Sequence, residues 1–421
     1  MAGFRSTTRA IVMGVVLAAG MVAGPFCSST QAQMRMGMGM GAGMAGGKVA
    51  AGEVEQFGKI LALDKAQLSA FKDLHQAYET EYDQAMKTMQ DKMEKMRAEA
   101  QDTGDWSAMM KDGQESAEKF QTKSTDLEKS LMSDLKALLT PDQTTKWPVM
   151  ERAHRRNQSL GGTAGIPGFG LAGESVDLVK MVEELKLKKT PEAVSQSLDR
   201  YESEMDSALI ERDGKRKEMA DQMNPFGKKD GKGGGGGDGV GMPDFKKIGE
   251  MMTEMRKTGL KVRDLNDRYS TLVASGLPDD VREDFNSRFK KAKFPQVYRE
   301  SYTTKSLTAA AGFKDLDPQQ QTGVTDLAAI YKRESVAAND RYAKAQTDAE
   351  KDGGGEDMMG GWMKMMNGDQ GGDDSELSQA KKAKRKLDTD TVDKLKAILT
   401  PQQVERLPER ENNMFGGGRG R

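Results

Sequence analysis

The sequence has few of the residues that most catalytic and metal sites need. It has one cysteine, Cys27, and two histidines, His75 and His154. Zinc sites of the Cys/His type and Cys/His nucleophile pairs cannot be assembled from so few residues. No grouping of a nucleophile, a base and oxyanion donors stands out among the rest. We therefore predict that the protein is not an enzyme and uses no cofactor.

Aromatic residues and net charge are also low. Aromatic residues make up 6% of the chain and charged residues 31%, while the formal net charge is −1. Such a balance gives no electrostatic case for nucleic acid binding, which favours a clearly basic face. Many charged and few large apolar residues are typical of long, solvated helices that pack along narrow faces. They argue against an α/β enzyme domain, whose buried strands need dense valine and isoleucine.

Long apolar runs are rare, and the one that stands out lies at the start of the chain. Arg5 and Arg9 precede an apolar run over residues 10–24, and small residues follow it as far as Ala32. This order is typical of a secretory signal peptide. A membrane anchor is the alternative, but the run is shorter than the roughly 20 residues of a spanning helix. We predict cleavage after Ala32, export to the periplasm of a Gram-negative-like envelope, and no transmembrane segment in the mature chain.

Glycine-rich stretches divide the sequence, and between them a helical pattern repeats. Such stretches cannot bury a core and are typical of flexible linkers or loops. The predicted organisation is a signal peptide (1–32), a Met/Gly-rich flexible segment (33–52), helical unit 1 (53–157), a Gly/Pro linker (158–174), helical unit 2 (175–303, with a Gly-rich loop at 224–243), helical unit 3 (304–413, with a Gly/Met-rich loop at 353–375) and a Gly/Arg tail (414–421).

A Leu-Asp/Thr-x-x-Gln motif occurs four times and predicts the start of a helix each time. The Asp or Thr suits the N-cap, and the Gln three residues later suits the reciprocal bond of a capping box. The capping pairs are Asp64 with Gln67, Thr140 with Gln143, Asp317 with Gln320, and Thr400 with Gln403. The prolines at 148 and 408, seven residues after Pro141 and Pro401, predict a two-turn helix followed by a break.

The three units share a register mark. In each unit a leucine precedes a tyrosine by 14 or 15 residues, namely Leu63 and Tyr78, Leu187 and Tyr201, and Leu316 and Tyr331. Together with the capping motifs, this spacing predicts an all-α fold. We expect three tandem long antiparallel helical hairpins, each with short capped helices, joined by flexible Gly-rich segments.

One predicted helix, from about Lys65 to Ala100, has a face that changes from aromatic residues to methionine. Core packing is one interpretation of this face. The other is an adaptable surface for client proteins, because methionine is common at promiscuous binding surfaces. The client-binding candidates are Tyr82, Met86, Met89, Met93 and Met96.

Two further methionine clusters raise the question of copper. Thioethers are soft ligands that suit Cu(I), although no histidine or cysteine supports them here. Low-complexity sequence with methionine as filler is the alternative. The metal candidates are Met34, Met36, Met38 and Met40 near the start of the mature chain, and Met363, Met365 and Met366 in the loop of unit 3.

The capping motifs, the Met and Tyr faces and the signal peptide together resemble the LTXXQ-motif family of periplasmic proteins, the Spy/CpxP-like proteins. In that family one motif opens the first helix and another follows the third. Leu63–Gln67 with Leu139–Gln143 matches this placement, as does Leu316–Gln320 with Leu399–Gln403. The resemblance implies an all-α, cradle-like hairpin that dimerises.

The same resemblance implies ATP-independent holding of unfolded proteins, or envelope-stress sensing. Our first hypothesis is therefore a periplasmic protein that holds unfolded or aggregation-prone clients. Its partners would be such clients or an envelope sensor, with no nucleic acid and a possible homodimer. Cu(I) binding or sensing through the methionine-rich segments and a structural envelope spacer are the alternatives.

Overall fold

A computed structural model describes residues 47–161, 170–223, 245–352 and 375–410. Within these four ranges every regular element is a helix, which confirms the all-α prediction. None of the helices in these ranges combines the length and the hydropathy that a membrane crossing needs. The predicted signal peptide, most of the Met/Gly-rich segment, both inserted loops and the Gly/Arg tail lie outside the described residues.

Three successive pairs of long helices are separated by shorter helices along the described ranges. In chain order they are α1 (Ala51–Leu61), α2 (Lys65–Thr103), α3 (Trp106–Ala137), α4 (Pro141–Thr144), α5 (Trp147–Gly161), α6 (Leu178–Glu184), α7 (Glu192–Met223), α8 (Phe245–Gly276), α9 (Asp279–Lys293), α10 (Pro295–Tyr298), α11 (Tyr302–Ala311), α12 (Pro318–Asp352), α13 (Glu376–Ile398) and α14 (Pro401–Glu405).

Helix α2 begins and ends where its local sequence dictates. The Asp64 carboxylate accepts from the backbone N–H of Gln67, and the Gln67 side chain accepts in return from the N–H of Asp64. Gly104 ends the helix in the left-handed region, at φ 74°, which costs a glycine little. The helix therefore extends three residues beyond the predicted end at Ala100.

The long helices pack in antiparallel pairs. Near the start of α2, the Gln67 side chain bonds the carbonyl of Leu138 at the end of α3, and further along α2 Glu81 meets Lys123. Ascending numbers on one helix thus meet descending numbers on the other. The same order holds for α7 with α8 and for α12 with α13, through Val194 with Gly276, Glu211 with Lys261, Gln320 with Ile398, and Tyr331 with Asp388.

One tyrosine on the first helix of each pair fixes the short helix that precedes it. The N–H of Val49, just before α1, donates to the Tyr78 hydroxyl at 3.1 Å. Likewise, the N–H of Leu178 at the start of α6 donates to the Tyr201 hydroxyl. Ser301, the N-cap of α11, bonds the Tyr331 hydroxyl at 2.7 Å. All three tyrosines are buried. The register mark in the sequence therefore corresponds to one recurring tertiary contact.

Helix α5 connects two hydrophobic cores. Trp147 and Met150 at its start are buried with the core of α1, α2 and α3, while Leu160 near its end is buried with the core of α6 to α9. The sequence predicts that a helix ends at Pro148, but this proline lies in the first turn of α5. A proline there lacks only an N–H that would be unpaired anyway, so the helix continues to residue 161.

The described end of the predicted Gly/Pro linker, residues 170–174, is held in place by several helices. Asn266 of α8 donates to the carbonyl of Gly173 at 2.8 Å, and the N–H of Ala172 donates to the Glu350 carboxylate of α12 at 3.1 Å. Ala172 is buried with Val297 of α10. The prediction of a flexible linker is therefore wrong for these residues. Glycine does not imply flexibility here, because Gly173 adopts the left-handed conformation of a turn, at φ 85°.

Candidate client-binding surface and the paired capping motifs

Tyr82 was predicted to contact clients, but it lies in the core. It is 7% exposed, and its ring packs edge-on against Phe120 of α3 and beside Tyr78. Burial raises the pKa of its hydroxyl, with nearby carboxylates adding to the effect. Tyr82 therefore belongs to the aromatic core of the α2/α3 pair and is not accessible to a client.

The four methionines that follow Tyr82 on α2 are half-buried. We call Met86, Met89, Met93 and Met96 the methionine row. Met86 and Met89 pack against the same core that holds Tyr82. Half-burial places the row between the two interpretations of the sequence, because Met86 and Met89 support the packing while all four methionines offer some apolar surface to solvent.

A glycine on α3 brings its backbone close to the methionine row. Gly113 lies in the interior of α3, where glycine costs about 1 kcal/mol relative to alanine. A Cβ atom at this position would lie 3.3 Å from the Met93 sulfur. The glycine thus leaves room for the thioether, and α2 and α3 approach each other closely beside Met93.

Charged side chains of both signs surround the methionine row. Lys87, Lys92 and Lys95 are exposed on α2, as is Glu94. At the far end of the pair, Trp106 is 51% exposed as the first residue of α3. The surface therefore combines exposed charges, which speed encounter, with adaptable apolar groups, which suit partners of varied shape.

The capping motifs at the start of α2 and of α4 bind each other. The Gln67 amide donates to the Gln143 carbonyl oxygen at 2.8 Å, and the Gln143 amide donates to the Gln67 oxygen at 2.8 Å. Each amide also donates to a backbone carbonyl, at Leu138 and at Ala62 respectively. Each glutamine thus completes its own capping box and ties the start of one helix to the end of another.

The other two capping motifs form a second pair of the same kind. The Gln320 amide donates to Gln403 at 3.1 Å and to the carbonyl of Ile398, while the Gln403 amide donates to the carbonyl of Asp315 at 3.1 Å. In the pair α7/α8 an arginine takes this place. Arg282 of α9 donates to the carbonyls of Ala274 and Leu277 at the end of α8, at 2.8 and 2.9 Å. The capping residues predicted from the sequence are therefore confirmed as caps. The bonds between the glutamines of two motifs were not predicted from the sequence.

The bonds between paired glutamines predict that two neighbouring substitutions lower the free energy of unfolding by different amounts. Thr140→Ala is expected to lower the free energy of unfolding by about 1 kcal/mol, because it removes one N-cap. Gln143→Ala is expected to cost about 2 kcal/mol, because it removes the cap and the bonds to Gln67 and Ala62. Thr400→Ala and Gln403→Ala should repeat the contrast. Denaturant unfolding followed by circular dichroism measures all four, and equal costs within a pair would contradict the structural role of the glutamine.

His154 of α5 lies between two carboxylates from other helices. Its Nε2 is 2.8 Å from Glu128 of α3, and its Nδ1 is 3.3 Å from Glu53 of α1. Burial alone would lower the pKa of His154, but the bonds and charges of Glu128 and Glu53 outweigh it and raise the pKa to about 9. The imidazolium therefore links three helices at neutral pH. The sequence showed only a histidine beside two arginines, because its partners are distant in the chain.

A buried ion cluster joins α5 to α7. Arg212 of α7 is 1% exposed, and it donates to the Glu174 carboxylate at 3.0 Å and to the carbonyl of Ser159 at 3.0 Å. Arg216 donates to the same Glu174 oxygen at 2.5 Å. Burial and the neighbouring Arg212 lower the pKa of Arg216. The sequence contained no signal for this cluster beyond an arginine at an inward-facing helix position.

Within the described ranges, no group of three His, Cys, Asp or Glu side chains is arranged to hold a metal ion. The predicted thioether ligands, Met34, Met36, Met38, Met40, Met363, Met365 and Met366, lie outside the described residues.

Comparison with known proteins returned no relative. No protein-family model matches the chain, and neither a curated protein nor a solved structure is significantly similar to it.

Proposed function

We propose that this protein holds unfolded or aggregation-prone proteins without ATP. The half-buried methionine row of α2 is the observation that carries the proposal. A row buried completely would serve stability alone, and a fully polar face would offer a client nothing apolar to bind. Half-buried thioethers are available for contact, and methionine adapts to partners of different shape because its side chain is unbranched and flexible.

We further propose that the chain consists of three tandem hairpin units related to the LTXXQ-motif proteins. Two supports are the reciprocal Gln67–Gln143 and Gln320–Gln403 pairs. A third is the tyrosine that fixes the preceding short helix in all three helix pairs. The middle pair replaces the glutamines by Arg282, which performs a similar task on the end of α8. Under this proposal the protein acts in the periplasm, after cleavage of the signal peptide.

The client-holding proposal is tested by replacing Met89 and Met93 together by serine. Because the two side chains are half-buried, the loss of stability is expected to be about 1–2 kcal/mol, less than for two core methionines. Protection of a chemically denatured client, measured by light scattering on dilution from denaturant, is expected to weaken several-fold. A thermal melt of the same variant separates the two effects.

Two matched variants serve as controls. One keeps an apolar row at the same positions, and the other removes exposed apolar side chains elsewhere. Met89→Leu with Met93→Leu keeps an apolar row of similar volume, so protection should remain. Ile330→Ser with Val336→Ser removes two exposed apolar side chains from α12, and protection should again remain. Full protection by the Met89→Ser/Met93→Ser variant would contradict the proposal and favour a structural spacer in the envelope.

A further inference from the structure

Within the described ranges, methionine occurs both fully buried and half-buried. Met150 and Met205 are almost completely buried, at 0% and 1% exposure. The methionine row of α2 is half-buried, and so are Met251, Met252 and Met255 near the start of α8. In the pairs α2/α3 and α7/α8, tyrosine, phenylalanine and leucine therefore pack the end near the short helices, while half-buried methionine is concentrated toward the opposite end.

We propose that the methionine row is a site of oxidation by hypohalous acids. Oxidation then separates α2 from α3 around the row, while the end of the pair that contains Phe71 and Tyr78 stays folded. This inference does not depend on client binding, because it concerns the chemistry of the thioethers and the packing of two helices. It assigns a chemical reactivity to side chains that would otherwise serve only as packing or contact surface.

The reaction needs only the oxidant and water. The thioether sulfur attacks the chlorine of hypochlorous acid and displaces hydroxide, which gives a chlorosulfonium ion. Water then adds to the sulfur, and chloride and protons leave. The net change converts one thioether and one hypochlorous acid into one sulfoxide, one proton and one chloride. Sulfur is oxidised by two electrons and chlorine is reduced by two.

Half-burial makes oxidation of the row consequential. A fully exposed methionine is oxidised with little effect on folding, and a fully buried one is shielded from the oxidant. The row is accessible and also packed, since Met86 and Met89 contact the core and the Met93 sulfur lies against Gly113. A sulfoxide is polar and larger than a thioether, so it disrupts a methionine-rich contact. At Gly113 no side chain separates the sulfur from the α3 backbone, which leaves little room for the added oxygen.

At the opposite end of the pair Met132 of α3 is half-buried against the core, and the other contacts are ones that this chemistry leaves intact. Phe71, Tyr78 and Leu135 are buried there, and Gln67 and Gln143 bond each other. Hypochlorous acid reacts with thioethers in preference to these buried aromatic, aliphatic and amide groups. The opening is therefore expected to be local and to stop at the aromatic core.

The experiment treats the full chain with hypochlorous acid in amounts below the total methionine content and maps sulfoxides by mass spectrometry. Sulfoxide is expected at Met86, Met89, Met93 and Met96 at doses that leave Met150 and Met205 largely unmodified. Hydrogen exchange of the backbone amides from 86 to 100 is expected to accelerate by about tenfold or more, whereas the amides from 67 to 78 keep their rates.

A variant with leucine at all four positions of the row is the matched control. Leucine keeps the apolar volume and cannot form a sulfoxide, so the oxidant should leave its exchange rates unchanged. If the fourfold variant does not fold, the single variant Met93→Leu serves, and its acceleration should be smaller than that of the unsubstituted chain. Equal oxidation of Met150 and the row would overturn the proposal, as would unchanged exchange in the oxidised chain. Both readouts remain interpretable if the protein holds no clients.

Discussion

Glu174→Gln is expected to lower the free energy of unfolding by about 3–5 kcal/mol, the cost of removing one partner from a buried ion cluster. Glu174 is 5% exposed and binds both Arg212 and Arg216. Glutamine has the same size, so the substitution leaves no cavity. It also keeps an acceptor for the N–H of Leu171, which bonds Glu174 at 3.2 Å. The expected loss therefore reports the negative charge together with the acceptor oxygen that the two arginines share, and denaturant unfolding followed by circular dichroism measures it.

The same substitution at an exposed ion pair is the control. Glu204 of α7 pairs with Arg268 of α8, and both side chains are about half exposed. Glu204→Gln is expected to cost at most about 1 kcal/mol, because solvent screens the pair. Equal losses at Glu174 and Glu204 would mean that water reaches the cluster between α5 and α7, and that their docking relies on apolar contacts alone.

Raising the pH from 6.5 to 9.5 is expected to lower the free energy of unfolding by about 3 kcal/mol through His154. Its pKa is about 9 in the folded chain, against the usual histidine value of 6.5. Because the folded pKa is raised, this stabilisation is fully present below the unfolded pKa and is lost as the pH rises through 9. A shift of one pKa unit corresponds to about 1.4 kcal/mol, which sets the size of the effect.

His154→Gln is the control for the pH dependence. Glutamine can still bond Glu53 or Glu128, but it carries no charge in this range, so its stability should vary little between pH 6.5 and 9.5. Tryptophan fluorescence follows the unfolding near Trp147, which begins the same helix. An equally steep decline in the His154→Gln variant would assign the pH dependence to other groups.

The sequence predicted where helices start, because capping is local. It also marked the tyrosine that recurs in each helix pair, because the leucine–tyrosine spacing is periodic. An Asp or Thr followed by Gln three residues later specifies a capping box within a single turn, and all four predicted boxes are present. The repeated spacing of leucine and tyrosine marked residues that turned out to make the same contact. Apolar periodicity placed the end of α2 within three residues of its observed position.

Periodicity identified the apolar face of α2 but could not show how deeply each side chain on that face is buried. This face contains buried Tyr82 and half-buried Met93. Their difference in burial depends on which residue of α3 lies opposite each of them. Phe120 covers Tyr82, whereas Gly113 lies against Met93. These partners are separated by some 20 to 40 residues in sequence, so only the packing of the two helices decides which side chain stays accessible.

Capping and periodicity act within a few residues, so the helical character of the described ranges and the starts of the capped helices follow from the sequence alone. Tertiary structure decided that Gln67 meets Gln143, that α5 joins two cores, and that Glu174 joins Arg212. Each of these contacts brings together groups from distant parts of the chain. Their energy comes from hydrogen bonds and charges removed from water, and that burial exists only after the helices have packed.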